Sequence, residues 1–324
     1  EGRENPPEAS AVATWQQELN RLRRGQVRAL LVHGANPAYG LPASAGFLDA
    51  LANVPLVVSF SSVVDETAAQ ADLVLPTLSF LEDWGVSVPD PGPGHQVVTF
   101  QQPVVLPHVD ARSFVDILLT LAHGMGGAVQ QALPWASAQE MARAQAEELM
   151  RLRRGSVTQT SASLFWIGVL QRGGWWDTDA TAEAVGASAE AEGAAPAVSA
   201  PALPEFAGPE QEYPFHLLPF ESPALGAGNH SHLPWLQGVP DPTTTVAWQS
   251  WVEVNPTTAE KLQLTEGDIV AIESPHGRLE VPVYVYPAIA PDVVAMPLGQ
   301  GHTAGGRYCE GRGASPLSLV SPVV

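Results

Sequence analysis

Imidazoles, carboxylates and one thiol are the side chains in this sequence that could do chemistry. His230-Ser231-His232 would place two imidazoles on one face of an extended segment, which is the weakest form of metal-ligand spacing. No cysteine or acid stands at a matching interval, so zinc is the poorer reading. His302 lies in a glycine-dense run, Gly299-Gln300-Gly301-His302-Thr303-Ala304-Gly305-Gly306-Arg307. Its backbone could come close to a phosphate or a pterin, and a structural turn accounts for the same glycines equally well. Glu66, Asp72, Glu82 and Asp83 offer paired acids, against which stand helix capping and solvated loops. Cys309 has arginines near it but no evident base, and no Gly-x-Ser-x-Gly elbow exists. The Pro91 to Gly94 glycines do not lead a strand into a helix, so they make no dinucleotide fingerprint.

These residues need elements to hold them. Asp65 to Gly85 rises from carboxylates into the apolar run Leu73-Val74-Leu75, stops at Pro76, and closes through Leu78, Phe80 and Leu81 on Glu82, Asp83, Trp84 and Gly85. That reads as a buried parallel strand ending at a ligand-facing loop. Before it, a helix from Trp15 to Arg24, a strand over Val27 to Val32, a helix over Ala43 to Leu51 and a strand over Leu56 to Phe60 alternate; within it come a helix at Asp65 and a strand at Ala71 to Leu75. The expected fold class is therefore α/β, with a parallel, doubly wound sheet whose strand ends at Asn36, Ser61 and Pro76 share an edge. A hairpin-like region reaches a β run at Gln96 to Phe100, and helical spacing returns at Ala111 to His123 and Trp135 to Leu152. A short apolar segment, Ser163 to Leu170, precedes the exposed-looking Trp175-Trp176, which beside glycines reads as a docking or packing surface rather than a cofactor site.

Beyond the Ala-, Glu- and Pro-rich stretch, short β runs at Phe215 to Leu218, Trp251 to Val254, Ile269 to Glu273, Leu279 to Val285 and Val293 to Met296 surround a helix at Thr257 to Leu262. That pattern predicts a small β-barrel. The expected organisation is a tether over 1–14, a Rossmann-like α/β domain over 15–128, a helical extension over 129–177, a linker over 178–209 and the barrel over 210–324.

With 324 residues the chain is long enough for two domains, and its net charge of -19 argues against nucleic acid and anionic membrane surfaces. Acidity serves solubility first and a basic partner such as a cytochrome second. One cysteine excludes an internal disulfide and any all-cysteine iron-sulfur or metal site within the chain. No apolar run approaches the ~18 residues that span a bilayer, so a membrane link would pass through partners. The start at Glu1 without methionine points to processing or to a longer parent.

The runs Gly34-Ala35-Asn36-Pro37, Asp65-Glu66-Thr67-Ala68, Ala71-Asp72-Leu73-Val74-Leu75-Pro76, Glu82 and Gly85 resemble the third domain of molybdopterin oxidoreductases of the dimethyl-sulfoxide-reductase type. Asn229-His230-Ser231, Val254-Asn255-Pro256, Ala259-Glu260, Leu264-Thr265-Glu266-Gly267-Asp268, Val270 and Ser274-Pro275-His276-Gly277 are similar to the same family's C-terminal domain. The resemblance implies a Rossmann-like layer followed by a double-psi β-barrel. The ending from Gly299 to Leu317 is similar to the polysulfide-reductase and alternative-complex-III branch, in which a molybdopterin-like region sits beside an iron-sulfur region on a quinol-handling membrane anchor.

Two departures bear on what the resemblance implies. The family's N-terminal half, with its four-cysteine cluster motif and molybdenum ligand, is absent, and Asn229 stands where an arginine is expected beside His230. The implied role is then structural: a cofactor-free, molybdopterin-oxidoreductase-like part of a quinol-oxidising complex. Iron-sulfur clusters and haem c would lie in partner chains or domains, on the periplasmic side of a bacterial membrane. Its partners would be the missing N-terminal half, an iron-sulfur domain, a multihaem cytochrome c and integral membrane quinol-binding subunits. The alternative is the C-terminal half of an active molybdoenzyme, with Asn36, Glu82, Asn229, His230, Ser231, His302 and Thr303 holding a bis-molybdopterin guanine dinucleotide.

Overall fold

A computed structural model describes residues 12–89, 95–178 and 208–322, so residues 1–11 of the tether, most of the linker and the Pro91 to Gly94 turn lie outside the described residues, while 12–14 of the expected tether are helical. The described residues divide into two compact units, one of 12–74 with 208–322 and one of 75–89 with 95–178. The boundary between them falls inside the motif that runs from Asp65 to Gly85. The architecture is mixed α/β.

The first unit opens with α1 (Val12–Arg23), whose Leu19 and Leu22 pack with Phe47, Ala50 and Leu51 of α3 (Phe47–Leu51) and with Val54 and Val57. Between them lie β1 (Leu30–His33) and a single-turn helix α2 (Pro37–Gly40), started by proline at its first position. β1 pairs in parallel with β2 (Val57–Phe60), and β2 with β3 (Leu73–Val74). The sheet order is β1-β2-β3. β2 is buried along its whole length, as a central parallel strand should be, and its residues are apolar except for the buried Ser59.

Two expectations are corrected here. The strand at Leu73-Val74 is a two-residue edge strand with Leu73 47% exposed, not a buried one. The helix at Asp65 is a single 3-10 turn, Ala68–Gln70.

The rest of this unit is a five-stranded mixed sheet. Its strands are β7 (His216–Phe220), β8 (Val252–Val254), β9 (Ile269–Ser274), β10 (Gly277–Val285) and β11 (Val293–Pro297), in the order β7-β11-β8-β10-β9. β9 and β10 form an antiparallel hairpin, β10 runs parallel to β8, and β11 lies antiparallel to β8 and parallel to β7. Leu279, Val281 and Val283 alternate inward, where they meet Val252, Val254, Ala259, Met296 and Leu319. α9 (Pro256–Leu262) covers this core and is capped by Asn255, whose side chain accepts from the Thr257 amide at 2.9 Å. A further single-turn helix, α8 (Pro234–Gln237), precedes β8.

The second unit holds an antiparallel sheet, β4 (Gly85–Ser87), β5 (Val97–Gln101) and β6 (Gly174–Trp176), with helices α4 (Phe114–Met125), α5 (Gly127–Ala132), α6 (Ala138–Arg151) and α7 (Ala162–Arg172). Ala142 and Ala146, one turn apart on α6, let it lie close against Phe165, Trp166 and Val169 of α7. Of the two readings of the tryptophan pair, Trp175 takes packing, and its exposed look in the sequence is corrected. It is 1% exposed in this core and its Nε1 donates to the Arg154 carbonyl at 3.1 Å, while Trp176 is half-buried. Among the described residues no helix is long and apolar enough to cross a membrane.

Candidate functional site

Three loops of the first unit meet at one cluster: the turn after β1, the segment between β2 and β3, and the glycine-rich run after β11. The β1 turn supplies Asn36, Pro37 and Tyr39; the second supplies Asp65, Glu66 and Thr67; the third supplies Gly299 to Ala304. Asn36 cross-links the first two. Its Nδ2 donates to Glu66 Oε2 at 2.7 Å, and its Oδ1 accepts from the Thr67 hydroxyl at 2.7 Å and the Thr67 amide at 3.2 Å. Thr67, fully buried, accepts in turn from the Ala38 amide at 3.0 Å.

Glu66 joins these loops to the third. Its Oε1 accepts from the amides of Thr303 at 2.7 Å and Ala304 at 3.2 Å, and His302 Nδ1 lies 3.1 and 3.2 Å from its two oxygens. Burial alone would push the carboxyl up, but the hydrogen bonds from His302, Asn36 and backbone amides prevail and hold it at about 2. Glu66 is therefore an anion at any physiological pH. Tyr39 stacks on the His302 ring at 3.8 Å between centroids and 11° between planes. The Tyr39 hydroxyl donates to the Gln300 carbonyl at 3.0 Å and accepts from the Gly299 amide at 3.2 Å. Burial pushes the phenol up, so it stays a neutral donor.

Gly228 closes the cluster from the other side. Its φ is +120°, and a Cβ there would come within 2.4 Å of the Tyr39 ring and 3.1 Å of His302 Nε2. His302 Nε2 is buried and finds no hydrogen-bond partner among the described residues.

The structure brings Asn36, Glu66, His302 and Thr303 together, ties Ser231 to the same glycine run through Gly299, and leaves Asn229, His230 and Glu82 outside these contacts. Ser231 is buried and its hydroxyl donates to the Gly299 carbonyl, while the side chain of Gln237 donates to the Ser231 carbonyl at 2.8 Å and accepts from Gln300 Nε2 at 2.7 Å. Asn229 and His230 sit on the exposed side of a turn, so 230 to 232 is not the extended segment that metal binding would need. Burial, and then the nearby His230 and His302 imidazoles, push the His232 imidazole down. Among the described residues no cluster of histidine, cysteine and acidic groups has metal-binding geometry. Glu82 belongs to the second unit, where it accepts from the Ser79 amide and hydroxyl at 3.0 and 2.9 Å and from the His108 amide at 2.9 Å. Those bonds pull its carboxyl down and make it a loop staple. Cys309 is buried against the carbonyls of Ala304 and Gly306, and burial together with the Glu66 charge pushes its thiol up, away from nucleophilic use.

Tyr39 and the specific Glu66 to His302 pairing are what residue spacing missed. The two partners stand 236 residues apart, and no local pattern links them. The signal available was only that Asp65-Glu66-Thr67 and the glycine run each belong to a motif.

This loop does not fit a phosphate. The amides of Thr303 and Ala304 are taken by Glu66, whose fixed negative charge opposes a second anion, and no lysine or arginine stands among the residues that meet here. A separate cavity of about 110 Å³, lined by Leu225, Leu236, Asp241, Trp248, Trp251 and Gln300, is far below the ~300–1,000 Å³ that ligands of drug or cofactor size occupy. No catalytic step follows from this arrangement; what it can do is clasp three loops.

Comparison with known proteins gives the chain its context. A molybdopterin oxidoreductase family model matches residues 9–123, and a molydopterin dinucleotide binding domain model matches residues 238–321. The menaquinone reductase, molybdopterin-binding-like subunit of Nitratidesulfovibrio vulgaris is 31% identical over 304 residues, 91% of this chain and 39% of that protein. The assimilatory nitrate reductase catalytic subunit of Bacillus subtilis is 24% identical over 86% of this chain and 38% of its own length. Among solved structures, acetylene hydratase from Pelobacter acetylenicus superposes with a TM-score of 0.61 at 20% identity, over 94% of this chain and 42% of that one, a likeness of fold alone. The chain thus spans about two fifths of the length of these relatives.

Proposed function

The chain belongs to the molybdopterin oxidoreductase family, and from that premise we propose that it is a structural, cofactor-free part of a membrane-bound quinol-oxidising complex of the alternative-complex-III kind. The observation that carries this reading is the closed state of the loop cluster. Glu66 occupies the amides of Thr303 and Ala304, and Tyr39 and Gly228 cover His302. Similarity to a subunit named molybdopterin-binding-like, of a menaquinone reductase, supports the quinone connection.

In this role the chain scaffolds an iron-sulfur partner. Electrons pass through clusters and haem c in other chains, integral membrane subunits handle the quinol, and the assembly faces the periplasm. The domains would follow the family, a Rossmann-like doubly wound layer and a double-psi barrel; the parallel order β1-β2-β3 and the mixed five-stranded sheet are consistent with both.

Elemental and nucleotide analysis of the purified assembly tests the proposal. Iron without molybdenum or tungsten, and no guanine nucleotide on denaturation, is the expected result. Stoichiometric molybdenum or tungsten with a released guanine nucleotide overturns it and favours the rival, in which Asn36, Glu82, Asn229, His230, Ser231, His302 and Thr303 hold a bis-molybdopterin guanine dinucleotide.

A further inference from the structure

The second unit carries an apolar surface that its own fold does not bury. Phe80 is 72% exposed, Val104 67%, Leu106 88% and Val109 61%, with Leu81 and Val105 also exposed. Two segments more than twenty residues apart form this surface together, because the amides of Val104 and Val105 both donate to the Leu81 carbonyl, at 2.9 and 3.2 Å. A third tie comes from Glu82, which accepts from the His108 amide at 2.9 Å while also holding Ser79, and a fourth from the Gln101 side chain, which donates to the Phe80 carbonyl. The loop is thus pinned into shape with its valines and leucine facing out. A monomer leaves single apolar residues exposed without consequence, but a pinned cluster of six costs solubility unless something covers it.

Its rim says what covers it. Glu82 and Asp83 border Leu81, and Asp110 borders Val109. Hydrogen bonds keep Glu82 ionised, and the Asp83 carboxylate accepts from its neighbour's amide, Trp84, at 2.8 Å. Arg112, the cation that follows Asp110 in this loop, reaches toward the Thr120 hydroxyl at 3.4 Å. On a chain of net charge -19, the rim selects a partner of opposite charge.

We propose that Phe80, Leu81 and the Val104 to Val109 loop form a docking surface for another protein of the assembly, one whose face has an apolar centre and a lysine- and arginine-rich border. The patch supplies the buried centre of the contact and the acids supply register and attraction. The proposal takes from the scaffold reading only the existence of a protein partner, and it stands or falls separately from the metal content.

The sequence provides an unusually clean test, since Lys261 is its only lysine. Zero-length carboxylate-to-amine cross-linking of the purified assembly, followed by peptide mapping, should join Glu82, Asp83 or Asp110 to lysines of another protein. The same measurement with Leu106→Glu should show those cross-links and the bound protein reduced at least tenfold, while Leu106→Met retains both. At 88% exposure Leu106 contributes little to folding, and circular dichroism of both variants checks that the fold is kept. Cross-links from these acids to Lys261 of a second copy, retention of the partner by Leu106→Glu, or a chain that purifies with no bound protein and a monomeric mass would each overturn the proposal.

Discussion

Replacing Glu66 by glutamine probes the loop clasp most directly. In the native protein one carboxylate oxygen accepts the Thr303 and Ala304 amides and the other accepts Asn36 Nδ2, with His302 Nδ1 within reach of both. Glutamine can keep an oxygen toward the two amides, but its NH2 then faces the NH2 of Asn36, and the charge that strengthened every bond is gone. Holding the carboxyl from its ordinary 4.5 down to about 2 corresponds to ~3 kcal/mol, and discounting for the water it still meets leaves ~2 kcal/mol. Because the folded group titrates below the unfolded one, this stability is complete above about pH 4.5 and drains away as the pH falls toward 2. Thermal melts of parent and Glu66→Gln at pH 7 should therefore differ by ~4–8 °C for a unit of this size, and the gap should narrow as the melts are repeated toward pH 2.5. A gap under ~1 °C at pH 7, or one of equal size at both ends of the range, would refute the reasoning.

Gly228→Ala should be more damaging than an ordinary glycine change: its Cβ would lie 2.4 Å from the Tyr39 ring at a φ of +120°, so we expect a loss of ~2–4 kcal/mol in denaturant unfolding. Trp175→Phe should cost ~2–3 kcal/mol by the same assay, since it leaves a void in a full core and strips the Arg154 carbonyl of its partner; an unchanged midpoint would mean the core collapses without loss.

The strands of this protein were legible because their residues obey the pattern that burial imposes. Leu279, Val281 and Val283 alternate inward, Val57 to Phe60 is apolar but for Ser59, and both became strands within two or three residues of where sequence puts them. Asn255-Pro256 announced α9 through its cap and its proline. What failed, failed for want of tertiary information. Trp175-Trp176 looked exposed because the pair sits beside glycines with no local sign of what it packs against; β6 sends Trp175 inward and leaves Trp176 half-buried. Leu73 looked buried because an apolar run does not reveal that its strand is the last in the sheet. The Glu66 and His302 pairing was invisible for a related reason, since hydrogen bonds between loops are set by where strands end in space.

That pairing also explains why residues 12–74 share a compact unit with a segment more than a hundred residues downstream. Glu66 to His302 is one of several ties, with Tyr39 to Gln300, Gln16 to the Pro322 carbonyl at 2.9 Å and Ser44 to the Val320 carbonyl at 2.9 Å. Closing so long a loop costs only slightly more than closing a short one, because the entropy grows with the logarithm of length, so a few shared bonds and one core suffice to hold it. The motif from Asp65 to Gly85 is then two things joined end to end. Its first half, through Thr67 and Val74, completes the sheet that the C-terminal loop clasps, and its second half, from Leu75 through Glu82, builds the pinned apolar surface of the other unit. A run that reads in sequence as one ligand-facing edge therefore divides its chemistry between a clasp in which both Glu66 oxygens are engaged and a pinned apolar surface that its own fold leaves uncovered.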